Sequence, residues 1–189
     1  SVVTLDEIQQ IAAGTDEQTL IVVDEAYTEF SDGASAIDLL EDRDDVAVIR
    51  TFSKVYGLAG LRLGYGAVPA AWADAYERIN TPFSASEIAC RAGLAALDDE
   101  EHVEAIRNLV SWAREYYHDN LEATTFESGG NFVLVDVEDA TRVTQEAKER
   151  GVLVRDCSSF GLPECIRITC GTHAQMERAV DVLNEVLDT

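Results

Sequence analysis

Two short, continuous apolar runs place the strongest constraint on how this chain folds. Residues 20–23 are followed by the polar pair Asp24 and Glu25, and residues 46–49 are followed by the polar segment 50–54. An apolar run without polar alternation predicts a strand that is buried on both faces of a parallel sheet. The polar residues therefore follow the carboxyl ends of successive buried strands, which is where open α/β sheets place their ligand sites.

Capping residues and periodicity predict the elements around these strands. Thr4 with Glu7, and Ser84 with Glu87, have the spacing of capping boxes that open helices. After the glycines of a loop and a further strand, the predicted order of the last third is β-α-β-β-α, a compact α+β unit. The predicted helices cover residues 5–13, 70–79, 84–97, 101–121, 140–150 and 173–187, and the other predicted strands cover 63–68, 132–135, 152–154 and 166–169.

These elements predict an α/β protein with a mostly parallel sheet and a second, smaller α+β domain. We place the end of the first domain at the helix-breaking segment around residue 82. The predicted division is a first domain over residues 1–82, connecting helices over 83–121 and a small domain over 122–189.

Lys54 is the strongest candidate for a chemically active residue. The chain has only two lysines, Lys54 and Lys148, and Lys54 lies in a glycine-rich segment after a strand. Such a lysine is a candidate nucleophile that forms a Schiff base, although a surface ion pair is the alternative. Asp24 at the preceding strand end is either a functional carboxylate or a helix cap.

Taken together, the polar residues at these strand ends fit the binding of pyridoxal phosphate. A carboxylate at Asp24 suits the protonated ring nitrogen, and the phenol of Tyr27 suits the ring hydroxyl. The hydroxyl of Ser53 and the guanidinium of Arg62 suit the phosphate, and Lys54 suits the aldehyde.

Charge and composition exclude several other classes of function. The 36 acidic and 14 basic residues give a formal net charge of −22, which repels nucleic-acid phosphates and anionic lipid. The acidic residues are scattered, so we expect a salt-adapted surface, with an ordinary soluble acidic protein as the alternative. We expect no membrane span and no metal site, and the four cysteines without a Cys-x-x-Cys pair suggest free thiols in a reducing cytoplasm.

The segments 23–27 and 51–65 resemble the cofactor segments of fold-type I pyridoxal-phosphate-dependent aminotransferases. Segments 80–83, 130–134, 151–157 and 161–172 are similar to the histidinol-phosphate branch of that family. The resemblance implies that Lys54 forms the Schiff base and moves the substrate's α-proton.

The same resemblance assigns partners to the other candidate residues. Asp24 pairs with the pyridinium, Tyr27 with the ring hydroxyl, and Ser53 and Arg62 with the phosphate. In the small domain, Arg167 binds the anionic group of the substrate with Arg155 beside it, whereas Asn131 either bonds the substrate or holds a turn. The implied substrates are L-histidinol phosphate and 2-oxoglutarate, in a cytoplasmic homodimer.

The chain also departs from the family's pattern. It lacks the family's N-terminal arm, the phosphate-binding glycine loop, the aromatic residue that stacks on the ring and an Asn-Pro-x-Gly segment. We therefore interpret it as the carboxyl-terminal half of an aminotransferase and expect these residues alone to be a poor catalyst. Three alternatives stay open: an aromatic aminotransferase, a threonine-phosphate decarboxylase and a non-catalytic α/β module.

Overall fold

The computed structural model describes residues 2–16, 19–81 and 84–188, which form two compact units. The first unit is Val2–Glu104 and the second covers residues 105–188. The division falls inside one long helix, α4 (Glu100–Asn120). The division into three segments inferred from the sequence stays a prediction.

The first unit combines a three-stranded sheet with helices. The strand β1 pairs in parallel with β2, and β2 pairs antiparallel with β3, in the order β1-β2-β3. Its elements are α1 (Leu5–Gly14), β1 (Ile21–Asp24), β2 (Val46–Thr51), β3 (Gly64–Ala67), α2 (Ala70–Ile79) and α3 (Glu87–Leu97), with single-turn or short 3-10 helices at Thr28–Phe30, Ala36–Glu41 and Ala59–Leu61.

The capping box predicted for α1 is present. The N–H of Thr4 donates to the Glu7 carboxylate at 2.7 Å, and the N–H of Glu7 donates to the Thr4 hydroxyl at 3.3 Å. One turn later, Ile8 packs with Leu39 and Val48, so α1 covers one face of the sheet. The apolar side of α1 thus packs on one face of β2.

The prediction of burial on both faces is correct for β2 and wrong for β1. Val46, Ala47 and Val48 are all buried, whereas Val22 on β1 is 53% exposed. Val22 is the register partner of Ala47, whereas Val23, on the other face of β1, packs against the cluster that contains Ile8 of α1. Hydrophobicity alone does not reveal which face of a short apolar strand is covered.

The helix predicted to start with Ser84 is capped two residues later. Ser86 is the N-cap of α3, and its hydroxyl accepts a hydrogen bond from the N–H of Ala89 at 3.1 Å. Ser84 is described but does not act as the cap. Both serines precede Glu87 within cap distance, so the local pattern did not distinguish between them. Pro82, which we predicted as part of a break, lies outside the described residues.

The second unit is built on a four-stranded antiparallel sheet in the order β4-β5-β7-β6. Its buried core includes Tyr117 from α4, Val135 from the sheet, and Met176 and Leu183 from the last helix. The elements after α4 are β4 (Thr125–Phe126), β5 (Phe132–Asp136), α5 (Ala140–Glu149), β6 (Arg155–Asp156), β7 (Cys165–Thr169) and α6 (His173–Leu187), with a 3-10 helix at Ser158–Phe160.

The predicted β-α-β-β-α order is found, with one strand displaced and one added. The strand predicted at residues 152–154 lies at β6 instead. Val152 and Val154 pack against the core and Leu153 is 80% exposed, so these residues alternate like a strand, but they do not pair with one. The short strand β4 was not predicted. It pairs through only two residues, too few for a periodic pattern in sequence.

We expect the stability of this fold to depend on salt, because a net charge of −22 repels itself when it is not screened. The melting temperature should rise by about 5 °C or more between ~0.1 M and ~2 M KCl, equivalent to roughly 1 to 2 kcal/mol of unfolding free energy. Differential scanning calorimetry measures this change.

A neutralised variant provides the control for screening. Asp98→Asn, Glu101→Gln and Glu104→Gln together remove exposed negative charges for which the structure shows no ion pair among the described residues. This variant should show a weaker dependence on KCl. A native chain that melts no earlier at low salt than in molar KCl would contradict the prediction of salt adaptation.

Candidate functional site

The carboxyl ends of β1 and β2 lie side by side in the first unit. Parallel pairing places Asp24, the last residue of β1, opposite Ile49 of β2. The N–H of Glu25 donates to the carbonyl of Ile49 at 2.9 Å, which extends the pairing by one residue. The segments that follow both strands therefore leave the sheet at one edge, as predicted for a ligand site of an α/β sheet.

Lys54 and Tyr27, which follow β2 and β1, are in contact. The Nζ atom of Lys54 lies 4.9 Å from the centroid of the Tyr27 ring. Both residues are half-buried, so the attraction between the cation and the ring face is partly shielded from water. The structure thus brings together the amine and the phenol that the sequence singled out.

Backbone hydrogen bonds fold the segment around Lys54 into a tight loop. The N–H of Gly57 donates to the carbonyl of Lys54, and the N–H of Leu58 donates to the carbonyl of Phe52, both at 2.9 Å. Gly57 has a φ of +67°, which a residue with a Cβ adopts at a cost. The buried ring of Phe52 anchors the start of the loop.

A histidine that sequence reasoning did not select also supports this loop. The Nε2 atom of His102, at the start of α4, lies 3.2 Å from the carbonyl oxygen of Val55. A carbonyl oxygen only accepts, so Nε2 carries the proton in this contact. Because His102 is far from Val55 in sequence, no local pattern predicts the contact.

Asp24 lies on the exposed side of β1. Its Oδ1 atom accepts a hydrogen bond at 3.0 Å from the N–H of Ala26, which fixes the orientation of the carboxylate. The same bond begins the turn that carries the chain to Tyr27. The carboxylate is thus oriented by its own backbone while it stays accessible from the sheet edge.

Ser53 and Arg62 belong to the same loop region as Lys54. The N–H of Ser53 donates to the Thr51 hydroxyl at 3.1 Å, and Arg62 donates from Nη1 to the carbonyl of Ala59 at 2.8 Å. Arg62 is exposed and has a φ of +52°, in the left-handed region that favours glycine. A strained backbone that carries a long cationic side chain points to a role for that side chain.

The residue after Asp24 forms a buried ion pair that the sequence analysis did not identify. Arg50 on β2 donates from Nε and Nη2 to Oε2 of Glu25 at 2.9 and 2.7 Å. Burial by itself lowers the pKa of Arg50, but hydrogen bonds with Glu25 and Tyr65 outweigh it and raise that pKa. The alternation of β1 was a usable signal, because it places the two adjacent carboxylates on opposite faces.

A second carboxyl group is close to this ion pair. Burial raises the pKa of Glu29, and its Oε2 atom is buried without a hydrogen-bond partner among the described residues. Burial also raises the pKa of Tyr56, and the negative charge of Glu29 adds to the effect. Burial therefore makes the ionised forms of Glu29 and Tyr56 less favourable here than in water.

In the second unit, the two predicted arginines are direct neighbours across strands. Arg155 of β6 is the register partner of Arg167 of β7. The Arg167 guanidinium lies 4.9 Å from the Phe132 ring centroid, and its Nε atom is buried without a hydrogen-bond partner among the described residues. Arg155 donates to the Ser159 hydroxyl at 3.2 Å. Two adjacent guanidinium groups favour an anion between or beside them.

Asn131 lies in the turn before β5. Its carbonyl accepts a hydrogen bond from the N–H of Cys170 at 2.8 Å, while Arg114 donates to the nearby carbonyl of Ser128 at 2.5 Å. The backbone of Asn131 therefore has a structural role at the sheet end. This observation supports the turn-holding alternative without assigning the side chain.

The four cysteines are free, and burial makes the thiols of Cys157, Cys165 and Cys170 poor nucleophiles. Burial raises the pKa of Cys170 to about 11 and also raises the pKa of Cys157 and Cys165. Within the described ranges, no group of three or more His, Cys, Asp and Glu side chains is arranged to hold a metal ion.

None of the helices in the described part of the chain is both long and apolar enough to cross a bilayer.

Comparison with known proteins adds close relatives in sequence. The chain is 65% identical over 185 residues to a histidinol-phosphate aminotransferase of Haloarcula marismortui, covering 98% of this chain and 51% of that protein. It is 62% identical over 187 residues to a histidinol-phosphate aminotransferase of Haloferax volcanii, covering 99% and 52%. The chain thus spans about half the length of the curated relatives it matches.

A solved structure shows the same fold. The histidinol-phosphate aminotransferase of Sinorhizobium meliloti, determined in complex with pyridoxal-5'-phosphate, has a TM-score of 0.91 and 30% sequence identity, covering all of this chain and 54% of that one. This match confirms the predicted fold class. The family model for aminotransferase class I and II matches residues 1–183. On that match, which covers nearly the whole sequence, the chain belongs to the class I and II aminotransferase family.

Proposed function

We propose that this chain is part of a pyridoxal-phosphate-dependent enzyme that transfers the amino group of L-histidinol phosphate to 2-oxoglutarate. The products are imidazole-acetol phosphate and L-glutamate. The contact between Lys54 and Tyr27 carries the proposal, because it joins a half-buried amine and a phenol at the edge where Asp24 ends β1. The similarity to the enzymes of two halophilic archaea supports the choice of substrate.

The residues at the sheet edge fit pyridoxal phosphate by their donor and acceptor chemistry. Asp24 supplies a carboxylate for the ring nitrogen, and Tyr27 a phenol for the ring hydroxyl. Ser53 and Arg62 supply donors for the phosphate, and Lys54 an amine for the aldehyde. When bound, pyridoxal phosphate supplies an aldehyde that condenses with amines and a ring that accepts an electron pair.

Lys54 then has two tasks in the proposed reaction. Its Nζ atom would hold the aldehyde carbon of the cofactor. The same amine would be the group that takes the proton from the substrate's α-carbon and returns it. The half-buried position of Lys54 against the Tyr27 ring holds its Nζ atom at the edge where β1 and β2 end.

The paired arginines of the second unit suit the anionic ends of both substrates. Histidinol phosphate carries a phosphate and 2-oxoglutarate carries carboxylates, and a guanidinium binds either with two parallel hydrogen bonds. The buried, unpartnered Nε atom of Arg167 favours this residue as the main anion ligand. Arg155 adds positive charge from the neighbouring strand. The backbone of Asn131 holds the turn before β5, and a contact of its side chain with the substrate stays a prediction of the family resemblance.

We further propose that the protein is a cytoplasmic homodimer. The four free cysteines fit a reducing compartment. The dimer rests on the family resemblance, and sedimentation analysis of the native protein tests it.

Reduction with borohydride tests the covalent role of Lys54. After incubation with pyridoxal phosphate and reduction, peptide mass spectrometry should find one pyridoxyl group on Lys54. Lys54→Ala should abolish the adduct, whereas Lys148→Ala removes the other lysine and should leave it unchanged. An adduct on Lys148 alone, or none at all, would favour a non-catalytic module.

Arg62→Gly separates the strain of the backbone from the role of the side chain. Glycine tolerates the φ of +52°, so we expect the free energy of unfolding to rise by up to about 1 kcal/mol. Loss of the guanidinium should raise the Kd for pyridoxal phosphate by about tenfold, which corresponds to ~1.4 kcal/mol.

Arg62→Ala provides the comparison for Arg62→Gly. It removes the same guanidinium but keeps the strained backbone, so it should weaken cofactor binding equally without raising stability. Fluorescence titration with pyridoxal phosphate measures the Kd, and urea unfolding measures stability. An unchanged Kd in both variants would remove Arg62 from the proposed phosphate site.

Steady-state rates distinguish the proposed substrate from its rivals. The protein loaded with pyridoxal phosphate should have a higher kcat/KM for histidinol phosphate than for phenylalanine or threonine phosphate. Arg167→Gln should raise the KM for histidinol phosphate by about tenfold or more, since a charge-assisted contact is lost. Arg78→Gln, an equal charge change on exposed α2, is the control. Preference for phenylalanine or threonine phosphate would instead favour the corresponding alternative enzyme.

A further inference from the structure

The ion pair between Glu25 and Arg50 occupies a special place in the first unit. Among the described residues, Glu25 is the only charged residue that is buried, and its side chain is 8% exposed. Its partner Arg50 lies one residue before the end of β2. The pair therefore links the carboxyl ends of the two parallel strands that carry Asp24 and lead to Lys54.

Glu25 binds two separate parts of the first unit, β2 and the segment 35–36, through one carboxylate. Oε2 accepts from Nε and Nη2 of Arg50 at 2.9 and 2.7 Å. Oε1 accepts from the N–H of Ala36 at 2.6 Å, and the Ser35 hydroxyl donates to the carboxylate at 2.9 to 3.0 Å. Arg50 also donates to the Ser35 hydroxyl at 2.8 Å, which closes the network. Each charged group is thereby satisfied.

The backbone transmits this anchoring to the residues of the proposed cofactor site. The carbonyl of Glu25 accepts from the N–H of Thr28 at 3.1 Å and so fixes the turn that contains Tyr27. On the other strand, Arg50 precedes Lys54 by four residues. The 4.9 Å contact between Lys54 Nζ and the Tyr27 ring therefore connects two segments that the ion pair holds at their bases.

Stability is a poor explanation for a buried ion pair at this position. Moving two charges out of water costs about as much free energy as their mutual attraction returns. An apolar pair of similar volume often stabilises a fold equally well. Fixing the relative position of two segments is a different matter, because a bidentate guanidinium contact has a defined direction. The location between two segments of one site thus favours a geometric role.

We propose that Glu25 and Arg50 are positioning residues that set the distance and orientation of the Lys54 amine relative to the Tyr27 ring. This inference rests on the proposed function where it concerns cofactor chemistry. The geometry itself exists without cofactor, so part of the test does not depend on that function.

The first measurement uses the protein without cofactor. Reductive methylation with a ¹³C label marks both lysines and keeps their charge. Because Lys54 lies over an aromatic ring, the chemical shift of its methyl groups should be upfield of the usual value. The variant Tyr27→Leu provides the chemical shift of the same methyl groups without the ring. In Glu25→Gln the Lys54 signal should move toward that position, while the Lys148 signal stays constant.

The second measurement follows the covalent reaction with pyridoxal phosphate by absorbance. Glu25→Gln should slow adduct formation at Lys54 by about tenfold or more, as expected when a reacting amine is misplaced. If Glu25→Gln does not fold, the double variant Glu25→Leu with Arg50→Met replaces it, because it leaves no unpaired buried charge. The double variant should show the same movement of the Lys54 methyl signal and the same slower adduct formation.

Asp45→Asn is the matched control. Asp45 forms a bidentate pair with Arg43 at the opposite end of β2, at 2.6 and 2.8 Å. Its loss should change neither the Lys54 signal nor the reaction rate. A Lys54 signal at its native position in a folded variant without the Glu25–Arg50 pair would overturn the positioning role. A native chain that forms no adduct at all would overturn the proposed function but leave the signal to decide the positioning role.

Discussion

Parallel pairing of β1 with β2 is the constraint on which the rest of the first unit depends. In a parallel pair, both strands end at the same edge, so the segment after β1, which begins next to Asp24, and the segment after β2 lie side by side. Lys54 thereby contacts Tyr27 although the two are distant in sequence. Strand alternation then separates the two carboxylates at the end of β1. Asp24 faces outward where a ligand can reach it, and Glu25 faces inward, where it requires a cation.

The acidic residues of the whole chain also require compensation by positive charge. A net charge of −22 is compatible with a folded protein when salt screens it, and the relatives from halophilic archaea agree with that interpretation. In such a chain a cation has many acidic partners available. Arg167, whose Nε is buried without a hydrogen-bond partner among the described residues, is therefore more informative here than it would be in a neutral protein.

Sequence patterns predicted the helices, the strands and the chemically distinctive residues better than they predicted which residues are buried and which strands are neighbours. The runs that became β1 and β2, the capping box of α1 and the role of Lys54 as a candidate all depend on local features. The exposure of Val22 and the neighbouring positions of Arg155 and Arg167 depend on which strands pair and which faces are covered. Those facts arise from contacts between distant segments, and a single sequence does not contain them as a pattern.

The first unit also concentrates unfavourable features around the loop that carries Lys54. Arg62 adopts a backbone conformation that suits glycine, Glu29 has a buried oxygen without a partner among the described residues, and Glu25 with Arg50 places two charges out of water. A fold selected only for stability would avoid each of them. Their clustering at one sheet edge indicates that geometry and charge at this edge, rather than stability, determined these residues.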